Sequence, residues 1–110
     1  MTFLEELRME AAKACKDKRR KELSERGLAN SEALDELRAA MLSAAKEGCR
    51  SMAVPIEKVA DKKWESVYSK DYRSREKARF DQELCEFLTL HFEGVRAESR
   101  DRWTIRLSWR

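Results

Sequence analysis

Apolar and polar residues alternate without a break along the end of the chain. Trp103, Ile105, Leu107 and Trp109 fall on one side, and Thr104, Arg106, Ser108 and Arg110 on the other. Successive side chains of a strand point to opposite faces, so this run predicts a strand with one apolar and one polar face. Aromatic and β-branched residues suit such a pleated, half-buried surface. Upstream, Phe92 to Ser99 alternates more weakly, with Val95, Ala97 and Ser99 opposed to Gly94, Arg96 and Glu98. The polar link Ser99 to Arg102 is short enough to make the two runs an antiparallel hairpin. Before the hairpin the period becomes helical. Phe80, Leu84, Phe87, Leu88 and His91 form a stripe on a helix from about Ser74 to His91. That stripe is placed to cover the hairpin's inner face.

The rest of the chain divides at capping residues. Thr2 starts a helix that runs to about Ser24, with Glu5 in the capping-box position and Gly27 as terminator. Leu4, Leu7, Ala11, Ala14 and Cys15 share one stripe of it, expected to pack in the core. Asn30 or Ser31 caps a second helix, whose face of Ala33, Leu34, Leu37, Ala40, Met41, Ala44 and Ala45 ends at Lys46 and Gly48. Cys49 to Val54 reads as a short strand stopped by Pro55. From Ile56 the helical period returns through Val59, Ala60, Lys63, Trp64 and Val67, and polar Tyr68 to Ser74 interrupts it. The order α-α-β-α-(α)-β-β predicts one α+β domain over residues 1–110. Its small, mainly antiparallel three-stranded sheet is covered by helices and ends in a C-terminal β-hairpin. The last strand is the most apolar and is placed centrally, between Cys49–Val54 and Phe92–Ser99.

Composition supports a folded chain with a charged surface. Of 110 residues 41% are charged, and Leu, Ile, Val and Phe together number only 21. Low aliphatic content with high net charge signals disorder. Here 24 basic residues face 21 acidic ones, for a net charge of +3, and the apolar positions are periodic. The three cysteines, Cys15, Cys49 and Cys85, are widely spaced and odd in number, which suits free thiols in an intracellular protein better than a disulfide framework. Thr2 to Ala12 carries three glutamates and an arginine, unlike a secretory signal, and no apolar run approaches the length of a membrane span.

The leading helix, the "AAKEG" helix end running into a short strand, "HFEGVRAES" and the terminal "WTIRLSW" resemble small proteins of unassigned function from large DNA viruses and phages. The resemblance implies an intracellular or virion-associated accessory protein and carries no functional residues with it.

No constellation demands a particular chemistry. His91 is the single histidine, and Cys85 lies six residues earlier, which does not place the two side by side on a helix. A zinc site from Cys49, Cys85 and His91 would have to be assembled across the fold. The sequence has no phosphate-binding glycine loop, dinucleotide fingerprint or nucleophile turn. We therefore expect no metal and no cofactor, and an enzyme ranks third among the functions considered. The leading expectation is a non-enzymatic protein-interaction or assembly module, bound to a protein partner or to copies of itself. Trp64, Tyr68, Tyr72, Trp109 and Arg110 are its candidate contact residues, because Trp, Tyr and Arg dominate binding hot spots. The alternative is nucleic-acid binding, through Lys16, Lys18, Arg19, Arg20 and Lys21 on the first helix and Arg106 on the last strand. Further basic residues lie at Lys70, Arg73, Arg75, Lys77 and Arg79, and along the hairpin at Arg96, Arg100 and Arg102. Acids interleave with each cluster: Asp17, Glu22 and Glu25 around the first helix's basic run, Asp71 and Glu76 near the second, and Glu98 and Asp101 in the hairpin. Acids so placed repel a phosphate backbone and suit a solvated face.

Overall fold

Ser74 starts the helix on which the fold is assembled. Its hydroxyl accepts a hydrogen bond from the backbone N–H of Lys77, and α5 runs from Arg75 to His91. The computed structural model describes residues 2–69 and 74–109. Phe80, Leu84, Phe87 and Leu88 are buried along one side of α5, as their spacing of three and four dictates. They share a core with a three-stranded sheet made of β1 (Ser51–Pro55), β2 (Arg96–Asp101) and β3 (Thr104–Ser108). The strand order is β1-β3-β2 and both pairings are antiparallel, so β3 is central. The chain is thus an α+β fold with the expected central strand. Ile105 and Leu107 are fully buried on the helix-facing side of β3, while Arg106 between them is exposed. Burying each such side chain contributes about 1.5–3 kcal/mol.

The hairpin turns later than expected. β2 continues to Asp101 through a bulge after Ser99, and Arg102 and Trp103 make the turn. The Asp101 carboxylate accepts the backbone N–H of Trp103 at 2.8 Å, which fixes the turn there. Trp103, expected on the apolar strand face, is therefore exposed, with the Arg102 guanidinium over its ring at 5.6 Å. At the other end, Phe92 caps α5 instead of starting β2, and Gly94 adopts φ 84° in the link.

The caps of the first two helices are as expected. α1 (Phe3–Arg26) begins at Thr2, whose hydroxyl accepts from Glu5 N–H at 3.2 Å, and ends at Gly27 with φ 61°. α2 (Ser31–Lys46) begins at Asn30, whose side chain accepts from Glu32 N–H at 3.0 Å. Ala33, Leu34, Leu37 and Met41 of α2 are buried. In α1 only Leu23 is buried. The stripe Leu4, Leu7, Ala11, Ala14 and Cys15 is exposed, contrary to expectation, because nothing else among the described residues packs against it. Accordingly, the radius of gyration is 15.4 Å, against about 13 Å for a compact domain of this length.

The helical period after Pro55 is broken into three pieces: α3 (Ile56–Val59), a 3₁₀ turn (Lys62–Trp64) and α4 (Glu65–Tyr68). The break has a tertiary cause. Ala60 is extended and bridges Ala29, with Asn30 N–H donating to the Val59 carbonyl and Asp61 N–H to that of Leu28, each at 3.0 Å. The Asp61 carboxylate then caps the next turn through Lys63 N–H at 3.0 Å.

Leu107→Ala is expected to cost about 2–5 kcal/mol, and Arg106→Ala to stay within about 0.5 kcal/mol. Urea melts of the two variants check this, and equal losses would contradict the register of β3.

Candidate interaction surface

The most exposed apolar surface lies on α1. Phe3 is 74% exposed, Met9 58%, Leu4 56% and Leu7 51%. Every residue from 2 to 18 is exposed, so the first two-thirds of α1 is an arm standing clear of the core. Sixteen helical residues span about 24 Å. The anchor is at the other end. Arg19 makes a two-point contact with Glu86 of α5, Nε to Oε1 at 2.8 Å and NH2 to Oε2 at 3.1 Å. Leu23 is buried one turn further on. Arg26 Nε lies 2.8 Å from Glu83 Oε2, a charge contact without hydrogen-bond alignment, and Arg79 reaches the other oxygen of Glu83 at 3.1 Å. As Arg19 meets Glu86 and Arg26 meets Glu83, α1 and α5 run antiparallel, and the arm extends past the C-terminal end of α5.

The sequence-predicted aromatic residues sit elsewhere and mostly hold the fold together. Trp64 is half-buried. Its Nε1–H donates to the Gly27 carbonyl at 3.1 Å, Phe80 lies 5.6 Å from its ring, and the Arg26 guanidinium stacks over it at 5.5 Å. Tyr68 is buried against Phe80, and burial first, then Glu65, Glu57 and Asp61, raises its phenol's pKa. Trp109 is half-buried and donates Nε1–H to the Cys49 carbonyl at 3.0 Å. Tyr72 and Arg110, together with Lys70, Asp71 and Arg73 of the basic run, lie outside the described residues.

The sequence-predicted basic residues divide the same way. Lys16, Lys18, Arg20 and Lys21 are exposed on α1, whereas Arg19 is committed to Glu86. Arg106 lies on the open face of the sheet, directly across from Glu98 on β2. Lys77, grouped by sequence with the solvated charges, is fully buried, and its ammonium bonds Asp81 at 2.6 Å. It continues the α5 stripe one turn before Phe80 and two before Leu84, a spacing that marks it as inward-facing. Burial raises the pKa of the Asp81 carboxyl, against the pull of Lys77.

Two open grooves accompany these surfaces. One of about 920 Å³ runs between α5 and β2, with Cys85, Leu90 and Ala97 beside the carboxylates of Asp81, Glu86 and Asp101. The Thr89 hydroxyl crosses it to accept Ala97 N–H at 3.1 Å, which takes up part of the free edge of β2. The other, about 520 Å³, lies between α2 and the end of α5 and includes Arg38, Leu42, His91 and Trp109. No group of histidine, cysteine and acidic side chains suited to a metal ion occurs among the described residues.

His91 stacks on Phe87 at 5.5 Å and meets Phe92 edge-on at 4.8 Å. Partial burial first, then Arg20 and Arg38, lowers its pKa against the opposing Asp35. Cys15 and Cys49 are exposed free thiols, so Cys15 does not occupy a core position. Cys85 is half-buried, and burial, then Asp81 and Glu98, pushes its pKa up to about 11.

Two outcomes are expected. Iodoacetamide should label Cys15 and Cys49 well before Cys85, as read by peptide mass mapping; equal rates would contradict the burial of Cys85. His91 has a folded-state pKa below its ordinary 6.5, so between the two values the unfolded chain binds more protons. Its contribution is complete above pH 6.5 and is lost as pH falls through that window. Asp81 acts in the opposite sense at lower pH, because its folded-state pKa lies above 3.8. His91→Gln should therefore flatten the loss of stability just below pH 6.5, measured by urea melts; an unchanged slope would contradict the assignment.

No protein family matches this chain, and no curated protein or solved structure is significantly similar to it.

Proposed function

We propose that this chain is a small protein-interaction or assembly module whose docking element is the exposed arm of α1. One observation carries the proposal: Phe3, Leu4 and Leu7, which share one face of α1, are all more than half exposed on a helix anchored at its far end. Large apolar side chains grouped on the surface mark sites of association. Isolated helices of about this length are marginal in water, and their stability normally comes from packing an amphipathic face. A partner that covers the arm supplies that packing. An accessory or assembly role of the kind found among viral and phage proteins is the finer form of the same proposal.

Nucleic-acid binding is the second reading, favoured by Arg96, Arg100 and Arg106 on or beside the open face of the sheet. Glu98 opposite Arg106 and the engagement of Arg19 by Glu86 weigh against it. No described helix is long and apolar enough to cross a membrane.

The test is affinity capture with cross-linking in lysate of the source cells, comparing wild type with Leu4→Glu/Leu7→Glu. Because both positions are exposed, the double variant should match wild-type stability within about 0.5 kcal/mol per site. A protein captured by wild type should be lost with the variant. Capture that is indifferent to these substitutions, or salt-sensitive binding to mixed-sequence oligonucleotides instead, would contradict the proposal.

A further inference from the structure

The arm's charge changes sign along its length. Residues 3–10 carry Glu5, Glu6 and Glu10 against Arg8, and residues 11–18 carry Lys13, Lys16 and Lys18 against Asp17. All of these side chains are exposed, and none forms an ion pair within the chain among the described residues. The helix macrodipole favours acids in a first turn and bases in a last turn, and its influence fades beyond those turns. It accounts for Glu5 and Glu6. It does not account for Glu10, nor for the run that begins at Lys13, since α1 continues to Arg26. The reversal lies in the middle of the exposed arm, beside small Ala11, Ala12, Ala14 and Cys15.

We propose that the arm pairs with the same arm of a second copy, antiparallel, about a two-fold axis near Ala11. This rests on the interaction role above and names its partner. In that arrangement the acidic segment of each copy lies along the basic segment of the other, and one surface serves both chains, so the contact closes at a dimer. A parallel pairing sets acid against acid and base against base, which is destabilising. The small residues at the crossing let the two backbones approach. Leu4 and Leu7 of each copy then cover Ala14, Cys15 and the aliphatic stem of Lys18 on the other. Each arm is held at its own Arg19–Leu23–Arg26 end, beyond the paired segment.

Sedimentation velocity over a concentration series, at low and high salt, tests this. Wild type should form a dimer that weakens with salt, because its charge pairs are exposed. Leu4→Glu/Leu7→Glu should be monomeric, with a circular dichroism melt that matches dilute, undimerised wild type. The reversal Glu5→Lys/Glu6→Lys/Glu10→Lys should abolish the homodimer, as should Lys13→Glu/Lys16→Glu/Lys18→Glu, and mixing the two should restore a dimer. Orientation is read from Leu7→Cys under mild oxidation, where an antiparallel pair links position 7 to Cys15 of the other copy. Links joining 7 to 7 or Cys15 to Cys15 overturn the proposal. So does a wild type that is monomeric throughout, or a dimer indifferent to Leu4→Glu/Leu7→Glu. If a monomeric wild type still captures a different protein through Leu4 and Leu7, the second copy is excluded while the arm remains an interaction element. Loss of both removes both.

Discussion

The structure depends on covering one side of α5. A three-stranded sheet needs a packed face to be stable, and here Ile105 and Leu107 of β3 are buried in the same core as Phe80, Leu84, Phe87 and Leu88. Around that apolar contact α5 carries a collar of charge. Glu86 holds Arg19, Glu83 lies between Arg26 and Arg79, and Asp81 pairs with the buried Lys77. Arg19–Glu86 and Arg26–Glu83 are the pairs of the collar that join α1 to α5, and they hold the two helices antiparallel. They also set how much of α1 is left uncovered, since every residue from 2 to 18 is exposed.

The division of α1 into an anchored end and a free end is what the proposed interaction role rests on. Arg26 stacks on Trp64, Trp64 bonds the Gly27 carbonyl, and the loop after α1 is bridged to Ala60. The anchored end is therefore built into the core and gives the arm a fixed starting direction. A helix nucleated in this way needs only propagation to extend. Its free length presents apolar side chains between charges of both signs, a surface better matched to another charged helix than to a phosphate backbone. The sheet's open face offers less, because Arg106 has Glu98 directly opposite.

Most of the element order was legible in the sequence, for local reasons. Thr2 and Asn30 each cap the helix that follows, and Gly27 ends α1, so the signals at these positions are satisfied within a few residues. The alternation in β3 likewise located Ile105 and Leu107. It could not locate the turn, since Trp103 fits the period but is taken out of the strand by the Asp101 side chain. What was not legible depends on contacts distant in sequence. Periodicity identified the Leu4–Leu7–Ala11 stripe but not whether this chain holds anything to cover it. Trp64 and Tyr68 read as contact residues because composition marks aromatics as such, whereas Arg26 and Phe80 claim them for the core. Lys77 was misplaced by its charge, although its position on the α5 stripe pointed inward.

Amide hydrogen exchange, followed peptide by peptide at low and high protein concentration, tests the central claim most directly. The claim is that α5 anchors a self-sufficient core from which a pairing arm extends. Peptides of α5 and β3 should be strongly protected at both concentrations. Peptides from residues 3–18 should exchange fast when dilute and become protected when concentrated. Protection of the arm that equals that of α5 at every concentration would contradict the account, as would an α5 that exchanges as fast as the arm.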